Sequence, residues 1–207
     1  MVQRRHPLAR PGRAQQRGLR AQMGPRRLVH GLVLGMNTPM CASFLLPDAS
    51  ATLNFAQCVA AVSQPGDVLL LEGELGAGKT FVVRALAYAL GLPEDEPVTS
   101  PTFALMQWLP TTPRMLHADL YRLDAAADLD ALGFDEALDQ AGIACIEWGA
   151  RFVNYLQPVT AQIHLESIDE SARRVSLTVD NARGKAWLHA LQQRIAQHPL
   201  IHSVSLP

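Results

Sequence analysis

A chain of 207 residues, 48% hydrophobic and 18% charged, carries enough apolar side chains to bury one sizeable core. Its formal charge of -1 is unevenly spread: no acidic residue precedes Asp48 and eight arginines fall in residues 1–36, which leaves 10 basic residues against 19 acidic ones, a balance of -9. An acidic body excludes non-specific nucleic-acid binding as the main activity, and three scattered cysteines (Cys41, Cys58, Cys145) without a C-x-x-C pair exclude a disulfide framework or zinc site and read as buried free thiols in a reducing cytosol.

Residues 1–27 are rich in Arg, Pro, Gly and Gln, show no apolar period and are expected to be disordered. The stretch "RRLVHGLVLGMNTPMCAS" has the outline of a signal peptide, but His30, Asn37 and Pro39 interrupt it and its apolar run is too short to span a bilayer. An Arg-rich, acid-poor organelle transit peptide is another reading. The one adopted is a translation start at Met36 or Met40, because "SFLLPDASATLNFAQCVAAV" reads as an ordinary domain start. The expected organisation is a leader over 1–40, one domain over 41–199 and a tail over 200–207, with no membrane association.

Within the domain, "SFLL" (43–46) is a short strand. Asp48 or Ser50 caps a helix to about Val62, with Leu53, Ala56, Val59 and Ala60 on one face. After a Pro65-Gly66-Asp67 turn, "VLLLE" (68–72) is a continuous apolar run, as in a strand buried on both faces. A helix from Lys79 to about Leu90 is closed by Gly91. "TFALMQWL" and "RMLHADLY" flank "PTTP" as a hairpin, and "DAAADLDALGFDEALDQAG" gives two short helices broken near Gly133. "IACIEW" (143–148) is a second buried strand, "TAQIHLESI" and "RRVSLTVD" form a second hairpin, and a last helix over 182–197 carries Trp187, Leu188, Leu191 and Ile195 as its stripe. Interleaved strands and helices predict an α/β fold with a mixed β-sheet flanked by helices.

Between the first buried strand and its helix, Gly73-Glu74-Leu75-Gly76-Ala77-Gly78-Lys79-Thr80 fits G-x-x-x-x-G-K-[ST] at every fixed position. Glycines let the backbone wrap a phosphate with its N–H groups inward, and the helix start adds its positive dipole end. Lys79 reaches the β- and γ-phosphates and the Thr80 hydroxyl serves Mg²⁺. A P-loop NTPase also needs an acid opposite this loop. Two strands end in one, at Asp119 within His117-x-Asp119-x-Tyr121-Arg122 and at Glu147, followed by Trp148. Glu147 ends the more apolar strand and is expected to point at the loop, whereas Asp119 is expected on a more mobile rim. Thr102, after Ser100-Pro101, stands where a threonine can sense a γ-phosphate.

Taken in order, "GELGAGKT", "SPTF", "HADLYR" and "IEW" resemble the TsaE (YjeE) family, small bacterial P-loop ATPases of tRNA threonylcarbamoyladenosine synthesis. The resemblance covers about residues 43–160 and, more loosely, the terminal hairpin. It implies a P-loop NTPase fold, ATP and Mg²⁺ as ligands, TsaB and TsaD as partners, tRNA only through that complex, and a cytoplasmic setting. The ATPase cycle would support turnover of the complex while TsaD performs the transfer. Carried onto this chain, the resemblance gives Lys79 and Thr80 the phosphate and Mg²⁺ roles and Glu147 the second metal ligand. It makes Thr102 the switch residue and Asp119 the acid that orients or deprotonates water. Gly73, Glu74, Gly76, Ala77, Gly78 and Phe81 complete the nucleotide loop, and Trp148 helps shape the site; His117, Tyr121 and Arg122 match without an assigned task. Phe81 stands where the family commonly has a second Thr, which removes one α-phosphate contact, and the Arg-rich leader has no family counterpart.

Two other classes share these motifs. A small-molecule kinase would use the same loop but bring several arginines to the transferred phosphate; between Arg84 and the terminal hairpin this chain offers Arg114, Arg122 and Arg151. A non-catalytic switch would use ATP binding alone to control docking. No N-K-x-D guanine reader occurs, which argues against a GTPase.

Overall fold

The computed structural model describes residues 38–204, so the expectations for residues 1–37 lie outside the described residues. Strand β1 (Met40–Leu46) leads to helix α1 (Ala49–Val62), whose first turn is closed by the Asp48 carboxylate accepting the Ala51 N–H at 2.8 Å. β2 (Asp67–Glu72) and α2 (Lys79–Ala89) bracket the glycine loop. The chain continues through β3 (Met106–Leu109), β4 (Met115–Asp119), α3 (Ala126–Ala131), α4 (Phe134–Gln140) and β5 (Ile143–Glu147). A 3₁₀ turn (Ala150–Phe152), β6 (Ala161–Ser167), β7 (Arg173–Val179), α5 (Ala182–Ile195) and β8 (His202–Val204) follow.

The strands form one sheet in the order β3-β4-β5-β2-β6-β7-β1-β8. β4, β5, β2 and β6 run parallel at its centre; β3 pairs antiparallel with β4 at one side, and β7, β1 and β8 each pair antiparallel with the strand before them in that order at the other. This is the mixed α/β sheet that the interleaved pattern predicts. Alternation along β2 divides its apolar run between two cores. Leu69 and Leu71 join α1, α2 and α5 on one face, and Leu70 joins α3, α4 and the 3₁₀ turn on the other. Because β4, β5 and β2 are parallel, their carboxyl ends share one edge of the sheet, where Asp119 lies opposite Glu147 in register and the glycine loop leaves β2.

Several expectations need correction. The buried face of α1 is Ala51, Thr52, Phe55, Ala56, Cys58 and Val59, while Leu53 is exposed, because packing against α2 and α5 selects a rotated stripe. The strand expected from Thr102 begins only at Met106: Leu105 has φ 65° and its N–H bonds the Pro101 carbonyl, so the chain turns after the proline. The tail expected past residue 199 returns to the sheet as β8. Cys41 is exposed rather than buried, since it lies near the start of β1 beside Thr178. Among the described residues no helix is long and apolar enough to cross a membrane.

The α5 stripe is fully buried, with Trp187 at its centre and its indole N–H directed at Ser63 Oγ, 3.4 Å away. Replacing Trp187 with Ala is expected to cost about 3–5 kcal/mol of folding stability through the cavity it leaves. Urea unfolding monitored by circular dichroism reads this as a lower midpoint with an unchanged slope.

Candidate active site

The glycine loop is held from two sides. Gly73 has φ 136° and passes so close to β6 that a Cβ there would fall on the Leu165 carbonyl oxygen. From β7, Arg173 Nε donates to the Ala77 carbonyl at 3.1 Å. Inside the loop the Lys79 ammonium, 4% exposed, donates to the carbonyls of Gly73 (2.8 Å) and Glu74 (2.9 Å) and lies 3.9 Å from the centre of the Trp148 ring. Burial holds this ammonium below its usual pKa, opposed by the charges of Glu147, Glu72 and Asp119.

The two acids meet the loop at the carboxyl edge of the sheet. Glu147, 3% exposed, accepts on the same oxygen, Oε1, the Thr80 hydroxyl at 2.8 Å and His117 Nε2 at 2.9 Å. Asp119, 4% exposed, accepts Ser100 Oγ and Thr102 Oγ1 (2.7 Å) on Oδ2, and the Tyr121 N–H (3.0 Å) on Oδ1. Asp119 is therefore no mobile rim residue. β3 covers the far side of β4, so β4 is an inner strand and its last carboxylate is walled in.

A cleft of about 280 Å³ opens here, and Gly76, Gly78, Lys79, Thr80, Phe81, Thr102, Asp119, Glu147 and Trp148 all line it. The expected site residues thus meet, with three exceptions in detail. Gly73 lines a separate cleft with Glu74 and Trp148. The Glu74 side chain is exposed and lines separate clefts, so its backbone carbonyl is what serves the loop. Ala77 lines an adjoining cleft of about 390 Å³ with Gly78, Phe81, Leu165 and Arg173. Phe81 and Gly78 border both clefts.

Four participants were not singled out from the sequence. Ser100 shares Asp119 with Thr102. Gln107 touches His117, and Arg173 braces the loop from a hairpin almost a hundred residues away in sequence. The Glu72 carboxyl accepts the Ala150 N–H at 2.7 Å and ties the segment after β5 to the end of β2; burial raises its pKa against that hydrogen bond and the nearby charges of Lys79, His164 and Arg151. Only Ser100 carried a signal, its place beside the Pro101-Thr102 pair.

The chain is similar to known proteins. The family profile described as "Threonylcarbamoyl adenosine biosynthesis protein TsaE" matches residues 46–175. Proteins named "tRNA threonylcarbamoyladenosine biosynthesis protein TsaE" are similar to this chain. That of Rickettsia felis is 35% identical over 140 residues, which cover 67% of this chain and 80% of the relative. That of Mycobacterium tuberculosis is 34% identical, covering 63% and 82%, and that of Treponema pallidum 33% identical, covering 62% and 94%. Among solved structures, Bacillus subtilis YdiB superimposes with a TM-score of 0.63 at 25% identity, over 76% of this chain and 98% of that one.

Two of the loop's three glycines differ in what they tolerate. Gly73→Ala forces a side chain into the β6 backbone at a left-handed φ, and is expected to lower stability by about 2–4 kcal/mol. Gly76→Ala, at φ 83° with open space around it, should cost only about 1 kcal/mol. Thermal unfolding of both variants without nucleotide checks the ordering.

Proposed function

The chain belongs to the TsaE family of tRNA threonylcarbamoyladenosine biosynthesis proteins, and from that premise we propose that it binds Mg-ATP at the glycine loop and hydrolyses it. The observation that carries this reading is the 2.8 Å hydrogen bond between Thr80 Oγ1 and Glu147 Oε1. It couples the loop's hydroxyl to a buried strand-end carboxylate. With its proton directed to Glu147, the Thr80 oxygen keeps its lone pairs for a cation, and among the described residues no protein hydrogen-bond donor reaches Glu147 Oε2. These two groups fit Mg²⁺, a hard cation that takes oxygen ligands and retains water. Among the described residues no set of three or more His, Cys, Asp and Glu side chains is arranged to hold a metal, so the nucleotide and water supply the remaining ligands. When bound, Mg²⁺ neutralises charge on the β- and γ-phosphate oxygens.

The protein groups divide the remaining work. Lys79, already at the loop's centre, faces the phosphates. The mostly apolar 390 Å³ cleft begins at the same Gly78 and Phe81 and suits the adenine base. Asp119 Oδ2 is occupied by two hydroxyls, from Ser100 and Thr102. When these turn to the γ-phosphate, Oδ2 is released to take a proton from the attacking water. The water oxygen then bonds phosphorus, the bond to the β-phosphate oxygen breaks, and ADP and phosphate leave.

The same occupancy of Asp119 is what a purely nucleotide-binding switch would display, so that reading stands as the second. A phosphotransferase is disfavoured by where the arginines are held. Arg114 stacks on Trp108, Arg122 on Phe103, and Arg151 bonds the Leu123 and Tyr121 carbonyls. The family setting and the acidic body support a cytoplasmic protein that meets tRNA only through TsaB and TsaD.

Nucleotide titrations and turnover assays, with and without TsaB and TsaD, test the proposal. Lys79→Ala should weaken Mg-ATP binding by about 2–4 kcal/mol. Asp119→Asn should bind ATP almost normally yet hydrolyse it about 10-fold or more slowly, about 1.4 kcal/mol of barrier. Glu147→Gln should chiefly raise the Mg²⁺ needed for binding. Exchange of the two acid phenotypes would reverse the assignments, and unchanged turnover in both would leave the switch.

A further inference from the structure

Glu147 is buried, yet its orientation is set by a residue to which the proposed chemistry gives no task. His117 is wholly buried on β4. It pairs in register with Gln107 of β3 on one side and Cys145 of β5 on the other, which sets Glu147 two residues further along the same face. Gln107 Nε2 lies 2.7 Å from the Thr99 carbonyl oxygen, which can only accept, so this atom is the amide nitrogen. Its second N–H faces His117 Nδ1 at 3.0 Å, so Nδ1 accepts, the ring proton sits on Nε2, and Nε2–H donates to Glu147 Oε1. The His117–Glu147 contact is therefore a directed hydrogen bond from a neutral ring rather than an ion pair.

We propose that Gln107 and His117 are positioning residues of the cation site. They fix Glu147 with Oε1 shared between Thr80 and His117 and Oε2 left for the divalent ion, and they make that setting depend on the loop that begins at Thr99. The same loop carries Ser100 and Thr102, both on Asp119. The chain of contacts Thr99–Gln107–His117–Glu147 thus links the loop that contacts one acid to the orientation of the other. If the loop moves, the Gln107 amide loses the carbonyl that orients it, His117 loses the donor that holds its ring at Nδ1, and Glu147 loses its set direction. The proposal rests on the reading of Thr80 and Glu147 as the cation's protein ligands.

The test uses the full chain with Mg²⁺ and a non-hydrolysable ATP analogue. Proton–nitrogen NMR of the imidazole without nucleotide should find the His117 proton on Nε2 in the wild type. The Mg²⁺ concentration at half-maximal analogue binding should rise about 10-fold in Gln107→Leu and in His117→Phe. In His117→Gln, whose amide returns a donor near Nε2, it should stay within about threefold of the wild type. Analogue binding without Mg²⁺ should be alike in all four proteins. A His117 proton on Nδ1 in the wild type overturns the relay. So do Mg²⁺ midpoints within about twofold of wild type in both Gln107→Leu and His117→Phe. Should His117→Phe not fold, Gln107→Leu, at a half-exposed position on an edge strand, decides the point by itself. Failure of the wild type to bind the analogue defeats the nucleotide reading instead, and the tautomer measurement then judges the relay separately.

Discussion

Two carboxylates and an ammonium are kept almost out of water where the parallel strands at the centre of the mixed sheet end, and the surrounding polar structure answers that constraint. A buried charge without partners costs several kcal/mol. Lys79 shows the strain as a lowered pKa and is met by two loop carbonyls. Glu147 is met by a hydroxyl and an imidazole, and Asp119 by two hydroxyls and a backbone N–H. Among the described residues no side-chain nitrogen or oxygen wholly shut off from solvent is left without a partner. The polar residues packed at this end of the central strands meet those charges.

Much of this was legible from local pattern. The loop announces itself because phosphate geometry demands glycines and a lysine at fixed spacing. The central strands do so because burial on both faces requires unbroken apolar runs. The cross-strand neighbours were not legible. Nothing in the local sequence says that His117 meets Glu147, that Asp119 lies opposite Glu147, or that Arg173 reaches Ala77; strand order and register decide these over long separations, whereas Gln107 and His117 lie within the hairpin expected around "PTTP". The buried face of α1 failed for a related reason. Its sequence is apolar on most sides, and contact with α2 and α5, rather than periodicity, chose Phe55 over Leu53.

Trp148 shows how strain is accommodated at the site. It has φ 61°, a conformation that costs a bulky residue about 1–3 kcal/mol. Its backbone N–H bonds the Leu71 carbonyl at 3.1 Å, and its ring contacts both the Lys79 ammonium and Tyr121, whose ring centre is 5.2 Å away. The left-handed turn swings the indole from the end of β5 back over the glycine loop. A residue in ordinary extended conformation would continue the strand away from the lysine.

Strand order also dictates when the molecule can assemble. β1, made first among the described strands, has β7 and β8 as its only neighbours in the sheet, so it pairs across more than a hundred residues of intervening chain. Such non-local closure is slow, and exposed strand edges are vulnerable while it is pending. On a ribosome, β1 waits with both edges open until the terminal hairpin emerges. The glycine loop waits with it, because the Leu165 carbonyl against which Gly73 packs and the guanidinium that braces Ala77 belong to that late hairpin. A nascent chain that already contains the whole loop therefore still lacks the walls that give the loop its shape.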